Sequence, residues 1–218
     1  MDTFDLYKDI QCRTNGEIYL GVVGPVRSGK STFIKRFMDV LVLPKMTDEH
    51  AKERTVDELP QSASGKSIMT TEPKFVPKEA AEIQLAKDVS VLVRLIDCVG
   101  YMVEGAAGYM ENGAERLVKT PWNEKEIPFT KAAEIGTKKV IHDHSTIGIV
   151  VTTDGSIGEL PRNSYRAAEK KTIQELKSIG KPFVVLVNTR KPYSAEAKNV
   201  AEEIQKEYQV TALPVNCE

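Results

Sequence analysis

The sequence predicts an α/β fold with a mostly parallel sheet, and three observations support this. Short runs rich in Val, Ile and Leu alternate with longer segments that carry apolar residues at helical spacing. These runs are apolar almost throughout, which is typical of parallel strands covered on both faces. Two runs, 75–85 and 89–96, are separated by a short link, so we expect that pair to be antiparallel. The predicted fold therefore has helices on both faces of the sheet and one antiparallel strand.

The first elements are predicted in order from the N-terminus. Residues 1–16 have an amphipathic pattern, and a buried strand follows at 17–23. A glycine-rich turn then leads into a helix that ends near residue 42, before Leu43-Pro44. The stretch of about 44–73 is polar and charged, and we expect a short helix within it, from Asp48 to Leu59. Long loops of this kind are usually functional, so we interpret it as a switch-like loop.

The second half continues the alternation. Residues 101–130 are rich in Gly and Pro with little periodicity, and we interpret them as a second switch-like loop. After that loop we expect helices at 132–142, 165–179 and 195–208 and strands at 146–153, 183–188 and 210–215. One domain, spanning 1–218, accounts for all of these elements.

The glycine-rich turn matches the phosphate-loop pattern G-x-x-x-x-G-K-[ST] in the context that this motif requires, between a strand and a helix. Glycines allow the backbone to approach phosphate oxygens, and the helix N-terminus favours negative charge. Lys30 can reach the β- and γ-phosphates, and the Ser31 hydroxyl can bind Mg²⁺. The predicted nucleotide-binding residues are Gly24, Pro25, Val26, Arg27, Ser28, Gly29, Lys30, Ser31, Thr32, Gly100 and Asn188.

Further motifs follow the phosphate loop in a characteristic order. Asp97 ends an apolar strand and Gly100 lies three residues later, which gives D-x-x-G. Thr70 or Thr71, before them, could bind Mg²⁺ and sense the γ-phosphate, although the pair could equally be ordinary loop hydroxyls. This order is typical of P-loop GTPases of the Ras-like, translation-factor type. We therefore predict a Mg²⁺ site formed by Ser31, Thr71 and Asp97.

Two departures from that pattern bear on the reaction. Tyr101 stands where many such GTPases carry a Gln that orients the attacking water. After the strand that ends at Asn188, the usual N-K-x-D is replaced by Asn-Thr-Arg-Lys. The charged Lys191 only donates hydrogen bonds, so it cannot accept them from guanine N1–H and the N2 amino group. We therefore predict that the substrate is ATP and that water positioning comes from elsewhere.

Arg27 lies inside the phosphate-loop motif, two positions before Gly29. Large guanylate-binding proteins are similar at this point, with an Arg that acts as an arginine finger in cis. Arg27 could neutralise charge as the γ-phosphoryl group leaves, or it could be a solvated side chain or a partner contact. The predicted catalytic residues are Lys30, Thr70, Thr71, Asp97 and Arg27.

Composition limits the possible partners and location. The net charge of −1 gives no general reason to expect nucleic-acid binding. No apolar run approaches the ~20 residues that span a bilayer, and the N-terminus lacks the apolar core of a signal peptide. Three widely spaced cysteines fit a reducing compartment, so we expect a cytoplasmic protein.

Several runs resemble one particular family. Residues 57–63 (DELPQSA), 69–77 (MTTEPKFVP) and 133–137 (AEIGT), with the strand and turn at 148–158, closely resemble the stage IV sporulation protein A family. The resemblance covers essentially the whole chain. It implies an ATPase, with a fold derived from translation-factor GTPases, whose hydrolysis is coupled to self-assembly on the forespore surface inside the mother cell.

The resemblance also implies partners and a larger protein. Family members are longer, so we expect this chain to be their N-terminal nucleotide-binding domain, with C-terminal domains absent. A small amphipathic membrane peptide and other spore coat proteins are expected to bind, mostly through the absent region. Two alternatives stay open: a GTPase switch, and a structural scaffold that binds nucleotide without appreciable turnover.

Overall fold

The computed structural model describes residues 16–60, 71–86, 89–111 and 113–218. The expected amphipathic segment at 1–16 falls almost wholly outside the described residues, and the predicted sensor Thr70 falls entirely outside them. The strands are β1 (Glu17–Val23), β2 (Lys74–Ala86), β3 (Val89–Asp97), β4 (Met110–Glu111), β5 (Ala114–Glu115), β6 (Leu117–Thr120), β7 (Asn123–Pro128), β8 (Ile147–Thr153), β9 (Phe183–Asn188) and β10 (Ala212–Val215). The α-helices are α1 (Lys30–Phe37), α2 (Glu49–Glu58), α3 (Phe129–Lys139), α4 (Arg162–Ser178) and α5 (Ala195–Tyr208).

One six-stranded sheet organises the fold, in the order β10-β9-β8-β1-β3-β2. Its strands are parallel except β2, which pairs antiparallel with β3. The predicted α/β class, the mostly parallel sheet and the single antiparallel strand of that sheet are confirmed. The register pairs Val22 with Asp97, so β1 and β3 end side by side. The carboxyl ends of adjacent parallel strands therefore meet at one edge, where the candidate site lies.

The core has two halves, one on each face of the sheet. Consecutive residues of β1 and β3 alternate between them: Val22 and Leu95 pack on one side, Val23 and Ile96 on the other. The first half includes residues of α1 and the turns after it. The second includes residues of α4 and α5. Helices thus cover both faces, which explains why the central strands are apolar throughout.

The segment 101–130 is where the sequence-based interpretation was wrong in part. It contains two small antiparallel hairpins, β4–β5 and β6–β7, instead of being irregular throughout. Their residues are mostly exposed, so the strands carry no alternating apolar pattern that could have revealed them. Helix α3 also begins at Phe129, earlier than expected, because the Phe129 N–H bonds the Arg116 carbonyl and its ring is fully buried.

The other element boundaries agree within a few residues. Helix α4 begins at Arg162, three residues before the predicted start, and α1 continues through a π-helical turn, Met38–Val42, into a 3₁₀ turn, Leu43–Lys45. The short helix expected within 44–73 is α2. No helix in the described ranges is both long and apolar enough to cross a membrane.

An ion pair between Arg162 and Glu169, both on α4, is hydrogen-bonded to Thr152 at the end of β8. Both guanidinium NH₂ groups of Arg162 donate to Glu169, at 2.5 and 2.8 Å, and the Thr152 hydroxyl donates to the same carboxylate at 2.6 Å. Glu169 is 1% exposed. Its charge therefore depends on these partners, since water cannot replace them.

We expect Arg162→Met to lower the free energy of unfolding by about 3–5 kcal/mol, because it leaves a buried carboxylate without its cation. Urea denaturation of the wild type and the variant measures this. The double variant Arg162→Met/Glu169→Leu should recover much of the loss, because it removes the stranded charge as well. A loss below about 1 kcal/mol in the single variant would contradict this reading of the pair.

Candidate functional site

The turn between β1 and α1, residues 24–29, is held by main-chain and side-chain hydrogen bonds from two distant parts of the chain. The Val26 N–H donates to the Tyr101 carbonyl at 2.9 Å, and the Tyr101 N–H donates to the Gly24 carbonyl at 3.2 Å. The side-chain amide of Asn188, at the end of β9, donates to the Ser28 carbonyl at 3.1 Å. We call this turn the glycine-rich loop. Because bonds from distant parts of the chain hold it, its shape is fixed by the fold.

Two of its glycines are needed for close approach of the backbone. Gly24 has φ +132°, and an added Cβ would lie 2.3 Å from the Val151 carbonyl oxygen. Gly29 has φ +93°, and an added Cβ would lie 2.2 Å from the Asn188 amide nitrogen. Gly29 also precedes the first residue of α1, where it accepts the first helical hydrogen bond, from the Phe33 N–H. The loop thus ends at a helix N-terminus, which favours a bound anion.

Lys30, Ser31 and Asp97 meet where β1 and β3 end. The Ser31 hydroxyl donates to Asp97 Oδ2 at 2.7 Å, and Lys30 Nζ donates to the Pro25 carbonyl at 2.6 Å. Lys30 is only 4% exposed, although an ammonium group is strongly hydrated in water. One hydrogen bond leaves an ammonium group with further donors to offer.

The charges of this cluster are constrained by burial. Desolvation lowers the pKa of Lys30, and the charges of Cys98 and Asp97 oppose that effect. Desolvation likewise raises the pKa of Asp97, against the Ser31 hydrogen bond and the charge of Lys30. A polyanion beside Lys30 would favour its charged form, so the cluster is suited to an anionic ligand.

Some buried polar atoms at the site have no partner. Asp97 Oδ1 and Ser28 Oγ are both shielded from solvent and form no hydrogen bond. Buried polar atoms of native proteins are nearly always satisfied, and an absent ion, water or ligand is one explanation of the exceptions. A free carboxylate oxygen beside the Ser31 hydroxyl is a donor set that suits Mg²⁺, which prefers hard oxygen ligands and retains several waters.

The third predicted metal residue, Thr71, is buried three residues before β2. Its carbonyl faces Gly136 of α3, where an added Cβ would lie 2.6 Å away. Thr71 therefore packs against α3, and its role in metal binding stays a prediction. Within the described ranges, no group of three or more His, Cys, Asp or Glu side chains is arranged to hold a metal ion.

Gly100 brings the D-x-x-G segment against the glycine-rich loop. Its φ is +94°, and an added Cβ would lie 2.1 Å from the Gly24 carbonyl oxygen and 2.7 Å from Lys30 Nζ. The backbone at Gly100 thus reaches the same ammonium group as the loop does. Sequence reasoning singled out this glycine, and the structure places it at the site.

The side chains of Arg27 and Tyr101 contact groups outside the Lys30–Asp97 cluster. Arg27 has a left-handed backbone, φ +59°, and its guanidinium donates to the Ala107 carbonyl at 3.1 Å. The Tyr101 side chain is 3% exposed and lies under Lys171, with the ammonium 4.6 Å from the ring centroid. Tyr101 therefore meets the glycine-rich loop through its backbone.

Asn188 ties three segments together. While its amide NH₂ bonds Ser28, its side-chain oxygen accepts from the Cys217 N–H at 3.2 Å. The following residues are linked to another loop, because the Arg190 N–H donates to the Ser156 hydroxyl at 3.0 Å. Lys191 itself is exposed. Asn188 thus links the glycine-rich loop to the segment that contains Cys217. Its place in the N-K-x-D pattern did not reveal this role.

Three further residues of the predicted nucleotide site lie in or next to the glycine-rich loop. Pro25 forms an isolated parallel bridge with Tyr101, Val26 is buried, and Thr32 lies in the first turn of α1. Sequence reasoning missed the Cys217–Asn188 contact and the position of Ala107. Neither has a local signal, since both are backbone groups brought in by distant segments.

The chain matches a known protein family over its whole length. The model described as "Stage IV sporulation protein A, ATPase domain" matches residues 1–218. The chain belongs to this family. The resemblance found in its sequence is thereby confirmed, and the ATPase domain of the stage IV sporulation protein A family extends over the whole chain.

Three curated relatives are named stage IV sporulation protein A. The relative from Clostridioides difficile is 57% identical over 97% of this chain, and those from Bacillus anthracis and Bacillus subtilis are each 51% identical over its full length. The chain spans only 43–44% of the length of these relatives. Crystal structures of two SsGBP variants, G235S and G235P, align with TM-scores of 0.47 at 14% and 15% identity, over 95–96% of this chain and 52% of theirs.

Proposed function

We propose that the chain binds ATP with Mg²⁺ at the glycine-rich loop and hydrolyses it, as a P-loop NTPase of the translation-factor type. The meeting of Lys30, Ser31 and Asp97 beside that loop carries the proposal. An ammonium, a hydroxyl and a carboxylate at a helix N-terminus fit a triphosphate and its magnesium ion. The family to which the chain belongs is described as an ATPase domain, which supports the same reaction.

Each residue has a defined task in this reaction. Lys30 exchanges its hydrogen bond to the Pro25 carbonyl for bonds to phosphate oxygens. The backbone of Gly100 lies close to the Lys30 ammonium, and its N–H orients the terminal phosphate. Ser31 and Asp97 would hold Mg²⁺, directly or through water, and the bound ion would supply charge neutralisation for the phosphates. Thr71 is the described candidate for the sensor, with Thr70 as its alternative. Phosphoryl transfer depends on positioning and electrostatics, so no nucleophilic side chain is required.

Water positioning must come from a group other than Tyr101. Its side chain is buried under Lys171, so it cannot take the place of the Gln of related GTPases. The same observation favours a second candidate function, a scaffold that binds nucleotide without appreciable turnover. Neighbouring copies of the chain could supply the missing group during assembly.

Arg27 is the residue that we propose as an arginine finger in cis. To act, its guanidinium must leave the Ala107 carbonyl and turn towards the terminal phosphate. We expect Arg27→Ala to lower the turnover of ATP by about 100-fold or more, with nucleotide affinity nearly unchanged, because the charge is needed mainly in the transition state. Single-turnover hydrolysis and fluorescent-ATP titration measure the two quantities.

The matched control for Arg27 is Arg36→Ala, an exposed arginine near the end of α1. We expect it to retain wild-type turnover. If Arg27→Ala also hydrolyses ATP at the wild-type rate, the arginine-finger role is wrong, and Arg27 serves only to hold the segment at Ala107.

Adenine is the proposed base because Lys191 occupies the position of the guanine-reading Asp. The Lys191 ammonium offers only donors where guanine N1–H and the N2 amino group need acceptors. A site that leaves the polar groups of a base unpaired discriminates strongly against that base. An ordinary GTPase switch is the alternative that this residue disfavours.

We further propose that hydrolysis drives self-assembly of the whole protein around the forespore. The chain would then act in the mother-cell cytoplasm, and its partners would be further copies of itself. A small amphipathic membrane peptide and other coat proteins would bind through parts of the relatives that this chain does not span. No nucleic acid is expected among the partners.

Single-turnover hydrolysis of ATP and of GTP, measured side by side with Lys30→Ala as control, tests the reaction. We expect ATP to be hydrolysed at least about tenfold faster than GTP, and neither to be hydrolysed by Lys30→Ala. Faster hydrolysis of GTP would contradict the substrate. Tight binding of ATP without hydrolysis, even at high protein concentration, would support the scaffold instead.

A further inference from the structure

A cavity of about 280 Å³ lies between α3 and α4, with Tyr101 forming part of its wall. Lys131 and Glu134 of α3 and Lys171 of α4 also line it, together with small apolar side chains. Its size is close to the lower limit of small-molecule sites. None of the roles proposed above for ATP hydrolysis uses this cavity.

Positive charge is in excess around it. The Glu134 carboxylate forms ion pairs with Lys171 at 3.1 Å and with Lys138 at 3.4 Å. The positive charge of Lys131 also acts on this carboxylate. The first turn of α3, where Lys131 lies, contains no acidic residue of its own, although the Glu115 carboxylate accepts from its Thr130 N–H at 2.8 Å. Glu175, the other carboxylate whose charge reaches Tyr101, is bonded to His142 at 2.7 Å. Two lysines, Lys131 and Lys171, and one carboxylate, that of Glu134, thus line this concave surface, and Lys138 outside it also pairs with Glu134. A concave surface with an excess of one charge concentrates ions of the opposite sign.

We propose that this cavity is a binding site for a carboxylate-bearing ligand, held by Lys131 and Lys171 and coupled to the glycine-rich loop through Tyr101. The half-exposed Lys171 has 46% of its side chain accessible, so its ammonium can turn to an incoming anion. The apolar wall of Ala167 and Ala168 suits the carbon chain of such a ligand. Hydrogen bonds from Lys ammonium groups to a carboxylate are charge-assisted and about twice as strong as neutral ones.

The coupling follows from the contacts of Tyr101. Lys171 lies 4.6 Å from the centre of the Tyr101 ring, so an anion that draws its ammonium away weakens this cation–π contact. The Tyr101 backbone, in turn, bonds Val26 and Gly24 of the glycine-rich loop. A ligand in the cavity and a ligand on the loop therefore share one connecting residue. Any effect of the first on the affinity of the second must be reciprocal.

Calorimetric titration of the chain with sodium succinate, at constant ionic strength and without nucleotide, tests the site. We expect one succinate per chain, with affinity at least about tenfold weaker in Lys131→Met and in Lys171→Met. Lys170→Met is the matched control, because Lys170 is exposed on the same helix but does not line the cavity, and it should bind as the wild type. Since Lys131 is exposed, its variant remains informative even if Lys171→Met unfolds. Absence of binding, or equal binding by all four proteins, would overturn the site.

The coupling rests on the proposed function and is measured separately. Succinate affinity is determined again with saturating β,γ-imido-ATP and Mg²⁺, and we expect a change of at least about threefold that is lost in Lys171→Met. Succinate binding without nucleotide binding would count against the proposed function and leave the cavity site supported. Equal succinate affinity with and without bound nucleotide would overturn the coupling.

The source of the carboxylate can be identified in the same samples. If an acidic side chain of a second copy is the native occupant, sedimentation velocity will show self-association that succinate and Lys131→Met both reduce. If a free small carboxylate is the occupant, succinate will bind without a change in sedimentation. Either result supports the carboxylate site.

Discussion

Replacing Lys30 with methionine is expected to lower ATP hydrolysis by at least about 100-fold and to weaken nucleotide binding as well. Methionine keeps the length of the side chain in a site that is 4% exposed, but it removes the ammonium that bonds the Pro25 carbonyl. Phosphate oxygens would then lose their cation in a poorly solvated site, where an electrostatic contact is worth most. Single-turnover hydrolysis with radiolabelled ATP measures the loss.

Lys35→Met is the control for this substitution, because Lys35 is an exposed lysine on the same helix. It should hydrolyse ATP at the wild-type rate. A circular-dichroism melting curve must show that Lys30→Met is folded. Wild-type turnover in a folded Lys30→Met protein would exclude the glycine-rich loop as the site of hydrolysis.

Replacing Gly100 with alanine is expected to remove activity through the backbone. The new Cβ would lie 2.1 Å from the Gly24 carbonyl oxygen and 2.7 Å from Lys30 Nζ, and the residue would keep a φ of +94°. Left-handed geometry costs an alanine about 1–2 kcal/mol and overpacking typically a further 1–3 kcal/mol. We therefore expect a loss of stability of about 2 kcal/mol or more, with hydrolysis reduced further than unfolding alone explains. Urea denaturation and hydrolysis assays below the transition separate the two effects.

Gly113→Ala is the matched control for Gly100→Ala. Gly113 has a similar φ of +81°, but an added Cβ there would meet nothing within 4 Å. The control should show only the modest cost of the left-handed backbone, with wild-type hydrolysis. If the two variants behave alike, close packing of the D-x-x-G segment against the glycine-rich loop is not required for activity.

Much of the fold could be predicted from the sequence because its strongest signals are local. Continuous apolar runs such as β1 and β9 identify buried strands, and helical spacing identifies α4 and α5. The hairpins β4–β5 and β6–β7 gave no such signal, since short exposed strands carry no burial pattern. The early start of α3 depends on a tertiary contact, the bond from Phe129 to Arg116, which no local pattern contains.

The residues of the candidate site likewise differ in how far the sequence predicts them. Lys30, Ser31 and Asp97 belong to motifs whose spacing carries the chemistry, and the structure brings them together as the motif order predicts. The positions of Arg27 and Asn188 depend on partners far along the chain, Ala107 and Cys217, so their present contacts could not be read from spacing. The surroundings of Tyr101 were equally hidden, because they are created by the packing of α3 and α4.

We propose that one site, formed by the glycine-rich loop and Asp97, binds ATP with magnesium. Isothermal titration of the chain with β,γ-imido-ATP, with and without Mg²⁺, tests this binding. We expect one nucleotide per chain, binding that is strengthened by Mg²⁺, and at least about tenfold weaker binding of the corresponding GTP analogue. Asp97→Asn should remove the effect of Mg²⁺, since the carboxylate is replaced by a neutral amide. Undetectable binding of the ATP analogue, or tighter binding of the GTP analogue, would contradict it.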